Sequence, residues 1–281
     1  MTAPAATRRY SYSKLSQFES CSWAYRLTRI LKLPETPSVW LPAGSAFHTT
    51  TEAFDRADQE IGEFPKVIEQ FDLEYWQNLF QIEFDINLDK LRQNEPDESK
   101  WKVAGRGRES VAFWREAGPR MVAGYIEWRL NSANALRIAS LNGVAGIEIE
   151  LVSKFGDVEV VAFADRVVED TRTGVLAVTD LKTGSRMPTD PKQIGQYSLQ
   201  LEEIFGVPVS WGAYYNARAG FLQEPVDLTG YTRELFTEKY TELDRKVTAG
   251  EFEPTITNLC KTCGVRKWCV YQGGSEPEES E

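Results

Sequence analysis

The stretch from Val158 to Lys182 constrains this chain more than any other. Its pattern predicts two β-strands, Val158–Glu169 and Val175–Lys182, joined by the turn Asp170-Thr171-Arg172-Thr173-Gly174, whose Asp and Gly favour turns. The second strand ends in Asp180-Leu181-Lys182. Side chains alternate along a strand, so Asp180 and Lys182 share one face and Leu181 points the other way. Residue numbers across a hairpin sum to a near-constant value, which brings Asp165 nearly opposite Asp180, with Cβ atoms about 5 Å apart. Two carboxylates that close repel unless a cation lies between them, and hard oxygen ligands suit Mg²⁺ or Mn²⁺. The stretch therefore predicts a divalent-metal site with a lysine beside it.

The rest of the chain must supply a scaffold for that site. Its 281 residues allow one large α/β domain or two small ones, and a hydrophobic fraction of 42% supports a real core. No apolar run is long enough to span a membrane, and residues 1–9 lack the apolar centre of a signal peptide. The expectation is a soluble, cytoplasmic protein with no membrane partner. In that reducing setting, four cysteines point to metal or cluster ligation before disulfides. The net charge of −10 weakens the case for a nucleic-acid partner without removing it, because only the local field counts at a site. Acid collects in 52–98 and in Glu276–Glu281, whereas Arg26, Arg29 and Lys32, Lys100 to Arg108, and Lys261, Arg266 and Lys267 form basic groups. No Gly-x-x-x-x-Gly-Lys-Ser/Thr loop is present, which excludes a P-loop nucleotide motor in this chain.

Taken in order, Leu15, Phe18, Trp23 and Leu27 follow helical spacing behind a possible cap at Ser11 or Ser13. Cys21 lies in this segment, where a lone cysteine is ordinarily a small buried hydrophobe. Pro34–Pro42 reads as a loop, and the next helix starts at Gly44. It carries His48, the single histidine, and Glu52 one turn on. His48 reads either as a packed ring satisfied by one hydrogen bond or as a metal ligand. Residues 53–140 read as helical and rich in large aromatics, among them Phe54, Phe71, Tyr75, Trp76, Phe80, Phe84, Trp114, Tyr125 and Trp128, which at this spacing form a core. Gly105–Arg108 reads as a loop. Strands resume at 144–153, where Glu148 and Glu150 alternate with apolar residues, and again after Val207. Asp190-Pro191 starts a helix bearing Gln193 and Tyr197, and a last helix covers 232–249. Cys260-x-x-Cys263 followed by Cys269 offers three ligands to a site that wants four, and Cys21 supplies the fourth.

Five pieces now stand in one order: Gly44-x-x-x-His48-x-x-x-Glu52, Ala164-Asp165-Arg166-Val167, Asp180-Leu181-Lys182-Thr183-Gly184, Gln193-x-x-x-Tyr197, and one N-terminal with three C-terminal cysteines. Together they resemble the RecB-like branch of the PD-(D/E)XK nucleases, most closely the CRISPR-associated iron–sulfur exonucleases and their phage relatives. The resemblance implies that His48, Asp165, Asp180 and the carbonyl of Leu181 hold Mg²⁺ or Mn²⁺. It implies that Lys182 orients the attacking water or stabilises developing charge, and that Gln193 and Tyr197 position substrate. It assigns Cys21, Cys260, Cys263 and Cys269 to a [4Fe–4S] cluster, with Zn²⁺ the alternative occupant of four thiolates. The residue after the first cysteine, often proline in such proteins, is Ser22 here.

The fold expected is one α/β nuclease domain over 1–281: a mainly helical region to about 140, a mixed-sheet core over 141–216 bearing the metal site, and a C-terminal helix and cysteine segment over 217–281. The function implied is a metal-dependent DNA exonuclease acting on single strands or ends in phage recombination, repair or CRISPR-type DNA processing, alone or trimming DNA for a partner complex. The alternative is a DNA-binding or assembly subunit whose nuclease site is vestigial or partner-activated.

Overall fold

The structure, a computed structural model, describes residues 8–61, 72–131 and 133–277. Phe71, the side chain of Arg106 and the last residues of the acidic tail lie outside the described residues. In chain order the main elements are β1 (Arg9–Tyr10), α1 (Tyr12–Ser20), α2 (Trp40–Ile61), α3 (Leu73–Asn94), α4 (Val111–Leu130), β2 (Leu136–Ile138), β3 (Ile147–Phe155), β4 (Val158–Asp170), β5 (Val175–Lys182), α5 (Lys192–Phe205), β6 (Trp211–Asn216), β7 (Phe221–Leu222), β8 (Val226–Asp227) and α6 (Arg233–Ala249). They gather into two compact units. One holds Met1–Pro37, Val152–Val161 and Thr232–Glu281, the other Ser38–Leu151 and Ala162–Tyr231.

In the larger unit the sheet runs β4-β5-β6-β8, with β2 and β3 also pairing with β4 and β7 with β6. The β4–β5 hairpin forms with the predicted turn, and its register pairs Arg166 with Thr179 and Val167 with Val178. Every pair sums to the same value, and one step further along that register sets Asp165 against Asp180. Strand β6 then joins β5 in parallel, Asp180 beside Tyr214 and Lys182 beside Asn216, which makes the sheet mixed as expected. Alternation sends the two faces of this hairpin to different cores. Leu181 and Tyr215 meet Phe47, Phe54 and Tyr125 from α2 and α4, whereas Val167, Val178 and Tyr214 meet Ile194, Tyr197 and Leu201 of α5. The Asp180–Lys182 end of β5 is thus clamped between two helical layers.

The aromatic segment forms its own core, as its spacing predicts. Phe54, Trp76, Phe80, Phe84, Trp114 and Tyr125 are buried, although Tyr75 is exposed. Close approach of α3 and α4 depends on Gly118, where an added Cβ would lie 1.9 Å from Cζ of the buried Phe80 ring. Gly118→Ala gains helix propensity, but Phe80 is stacked on Phe84 and cannot swing away. The expected outcome is a net loss of ~1–2 kcal/mol, read as a lower midpoint in thermal or urea unfolding; a neutral or stabilised variant would contradict this packing.

Several expectations need correction. The segment 53–140 is not helical to its end: β2 lies in it and pairs with β4 from Leu136 to Ile138. A two- or three-residue strand is too short to show a period. Helix α2 starts at Trp40, not Gly44, and takes Pro42 into its first turn, where no backbone donor is required. Ala104–Gly107 is a short helix instead of a loop. Helix α5 begins one residue later than read, with Pro191 at the N-cap and the Asp190 carboxylate accepting from Lys192 N at 3.0 Å. The strand expected from Val207 is ordered as β6 only from Trp211.

In the smaller unit, β1 pairs in parallel with the 159–160 end of β4. Helix α6 runs from its Thr232 cap to Gly250, whose φ of 70° stops it. Phe155 packs between Phe236 and Tyr240 of α6. The C-terminal cysteine segment is a series of short 3₁₀ turns.

Candidate metal centre and cysteine site

The carboxylates and histidine of the larger unit converge where α2, β3 and β4 meet the end of β5. His48 Nδ1 lies 3.7 Å from Asp165 Oδ2 and 3.7 Å from Glu148 Oε1, and its Nε2 donates to the Leu181 carbonyl at 3.2 Å. Among the described residues, the ligand atoms of His48, Glu148 and Asp165 all fall within 4.8 Å of one another. Two donors held about 2.1 Å from one octahedral Mg²⁺ or Mn²⁺ are about 3.0 Å apart in cis and about 4.2 Å in trans. The two 3.7 Å separations from His48 sit between these limits, and the nitrogen–carboxylate–carbonyl set is one that Mn²⁺ or Mg²⁺ accepts. The residues present therefore fit such an ion.

Asp180 takes a different position. It lies outside that three-residue group, and its Oδ2, buried, pairs with Lys182 Nζ at 2.5 Å. Burial first, then the neighbouring charge of Asp165, pushes its carboxyl up to about 7 against the pull of Lys182. Burial disfavours the His48 imidazolium, yet Asp165, Glu148 and Asp180 together outweigh it and bring the ring up to about 8. Asp165 is pinned from the other side, its Oδ2 accepting from Leu181 N at 2.7 Å.

Lys182 links the Asp180 carboxylate to α5. Its ammonium donates to Gln193 Oε1 at 3.2 Å, and Gln193 Nε2 donates to the Tyr197 hydroxyl at 2.7 Å. Burial drives the Tyr197 phenol strongly upward, so it keeps its proton. The structure brings His48, Asp165, Asp180, Leu181, Lys182, Gln193 and Tyr197 into one connected set. Glu52 does not join them; it pairs with Arg56 at 2.8 Å, along its own helix.

The family model of the PD-(D/E)XK nuclease superfamily matches residues 9–270 of this sequence. The chain belongs to the PD-(D/E)XK nuclease superfamily. It is similar to the Gene 69 protein of Mycobacterium phage L5, 30% identical over 285 residues that cover 92% of this chain and 95% of that protein. It is also similar to the Gene 69 protein of Mycobacterium phage D29, 27% identical over 267 residues with 92% and 95% covered. A PD-(D/E)XK nuclease typically works with Mg²⁺ or Mn²⁺, which agrees with the donors gathered at His48. Among the described residues, no helix is long and apolar enough to cross a membrane.

One acidic residue of this cluster carries no site role in the sequence pattern. Glu148 sits in the alternating run Ile147-Glu148-Ile149-Glu150, where it looks like one more solvated strand residue. Its backbone shows otherwise. Glu148 has φ of 45°, a left-handed conformation rare for a residue with a side chain and rarer inside a strand. Beside it, Gly146 lets β3 approach so closely that an added Cβ would lie 2.3 Å from the Val167 carbonyl. This kink aims the Glu148 carboxylate at His48 and Arg166 and stores roughly 1–3 kcal/mol of strain. The signal in the sequence is Gly146, a glycine directly before an alternating strand.

The four cysteines lie in the smaller unit. All are half-buried and free, and all line one cavity of about 290 Å³ together with Ile256, Leu259 and Tyr271. Cys21 Sγ accepts from Ala24 N at 3.5 Å and from Thr255 N at 3.4 Å, and Cys260 Sγ accepts from Thr257 N at 3.5 Å. Burial pushes the Cys269 thiol up, and the nearby thiols of Cys263 and Cys21 add to it. No cysteine belongs to the tight three-ligand group found among the described residues.

Proposed function

We propose that this protein is a metal-dependent DNA exonuclease, hydrolysing phosphodiester bonds of single strands or DNA ends. The observation that carries the reading is the convergence of His48, Glu148 and Asp165 within 4.8 Å, with Asp180 and Lys182 beside them. Bound Mg²⁺ or Mn²⁺ supplies neutralisation of the scissile phosphate and a more acidic water. His48, Glu148, Asp165, Asp180 and the Leu181 carbonyl are the groups that would hold it. Lys182, pulled between Asp180 and Gln193, is placed to orient the nucleophile or meet charge that develops on the phosphoryl oxygens. Gln193 and Tyr197 present an amide and a phenol to the substrate side of that lysine. Phage DNA recombination or repair, or CRISPR-type processing, is the setting proposed for this activity, and partner proteins of such a system are the interactors to seek.

A [4Fe–4S] cluster in the cysteine cavity completes the proposal. Four thiols facing one cavity and backbone N–H groups donating to sulfur are the surroundings such a cluster uses. Tetrahedral Zn²⁺, the alternative occupant, holds four sulfurs about 3.8 Å from one another. A cubane spreads its thiolates more widely.

The deciding experiment is cleavage of end-labelled single- and double-stranded DNA by anaerobically purified protein with Mg²⁺ or Mn²⁺. Metal-dependent loss of label in step with strand shortening supports the exonuclease. Internal cuts would show an endonuclease, and DNA binding without cleavage would favour the assembly-subunit reading.

Metal affinity should also depend on pH. His48 must shed its proton to ligate, and so must Asp180, and their values of about 8 and about 7 set the window. Isothermal titration with Mg²⁺ is expected to show Kd falling at least ~10-fold from about pH 6 to about pH 8.5. A flat profile would remove these two groups from the ligand set.

A further inference from the structure

We propose that Arg166 is a positioning residue that sets the metal ligands of three separate elements in register. The inference rests on the metal site proposed above and assigns it a buried organiser. Arg166 is 1% exposed, and its guanidinium is held on every side. Nε donates to Asp55 Oδ2 at 2.5 Å, Nη1 to Glu148 Oε1 at 3.0 Å and to the Asp165 carbonyl at 2.5 Å, and Nη2 to Thr51 Oγ1 at 3.3 Å. The oxygen it holds on Glu148 is the one that faces His48 Nδ1.

The elements those contacts join are the ones that carry the ligands. His48, Thr51 and Asp55 follow one face of α2 at spacings of three and four, so fixing Thr51 and Asp55 fixes the height and rotation of His48. Glu148 lies on β3, and Asp165 on β4 directly precedes Arg166. One planar fork with donors in three directions thus ties a helix and two strands together. Asp55, fully buried, is itself anchored, its Oδ1 accepting from Arg129 Nε at 2.9 Å and its Oδ2 from the Tyr125 hydroxyl at 2.5 Å. The kink at Glu148 supplies the second observation. A strained backbone persists only where surroundings hold it, and Arg166 is the cation that does so. Arg166 touches no substrate; it acts through the ligands.

Mn²⁺ binding to the full-length protein, followed by electron paramagnetic resonance of the free ion, tests this apart from activity. Arg166→Lys keeps the charge and loses the fork, and it is expected to weaken Mn²⁺ binding ~10–100-fold while circular dichroism reports a folded protein. Glu148→Gln should weaken binding comparably, and the double variant should lose clearly less than the product of the two single losses. A purely structural arginine would lower the melting temperature and leave the affinity of the folded protein unchanged, and that result overturns the proposal, as do fully multiplicative losses. If Arg166→Lys does not fold, Thr51→Val removes the Nη2 partner together with the Thr51 hydroxyl's bonds to the Phe47 and His48 carbonyls of its own helix; a roughly threefold weakening supports the proposal and wild-type affinity overturns it. Asp165→Asn separates the two levels. If it binds Mn²⁺ as the wild type does, or if the wild type binds none, the metal site and this inference fall together; if it abolishes binding and Arg166→Lys changes nothing, only this inference falls.

Discussion

Asp180→Asn is expected to abolish DNA cleavage, by at least ~10³-fold, and at the same time to make the metal-free protein more stable. The two effects share one cause. Asp180 is buried at the end of β5 with Asp165 opposite, and burial and that neighbour raise its carboxyl to about 7. The unfolded chain ionises Asp180 near 3.8, so between about pH 4 and 7 folding requires holding a proton that the unfolded state has released. That requirement reduces stability as pH rises through the window, and the full cost is present above 7. His48 acts in the same direction: raised from 6.5 to about 8, it adds stability below 6.5 that is lost as pH rises to 8. Asparagine removes the Asp180 part of this cost. It leaves Lys182 without its carboxylate, but Lys182 is 27% exposed and can turn to water. At pH 8, without divalent metal, the melting temperature should rise by ~2–4 °C, and the rise should vanish near pH 4. Lys182→Ala should also abolish cleavage, with no such rise. A destabilised but active Asp180→Asn would refute both the site and its electrostatics.

Cys263→Ala carries the second large effect. If the cavity shared by Cys21, Cys260, Cys263 and Cys269 holds a [4Fe–4S] cluster, its binding energy is part of the folding energy of the smaller unit. The 3₁₀ turns over 258–272 have little apolar core of their own; Ile256 and Leu259 are 64% and 67% exposed. The variant should lose its visible absorbance and unfold well below the wild type, or accumulate as insoluble protein. A colourless variant that melts with the wild type and still cleaves DNA would contradict the cluster's structural role. Wild-type protein that is itself colourless and carries one Zn²⁺ per chain would replace the cluster with zinc.

The β4–β5 hairpin and its carboxylate pair were legible in the sequence because both are local. Alternation and a five-residue turn set the register, and tertiary packing had only to preserve it. The helices were legible for the same reason, since Phe54, Phe80, Phe84 and Trp114 repeat at helical spacing and are buried. Gln193 and Tyr197 meet as expected because one turn of α5 separates them.

What local pattern could not carry was decided by three-dimensional packing. Glu148 has the same neighbours in sequence as Glu150, yet a kink at φ of 45° brings the first among His48 and Asp165, while the second stays exposed. Asp55 looks like one more charge on an acidic helix, and only the arrival of Arg129 and Arg166 from 74 and 111 residues away makes it the anchor of the site. Sequence alone determined the elements, the hairpin register and the set of residue types able to bind a divalent cation. Tertiary structure decided which carboxylates gather at His48 and which guanidinium holds them, because a charge taken from water is stable only where distant segments bring its partner.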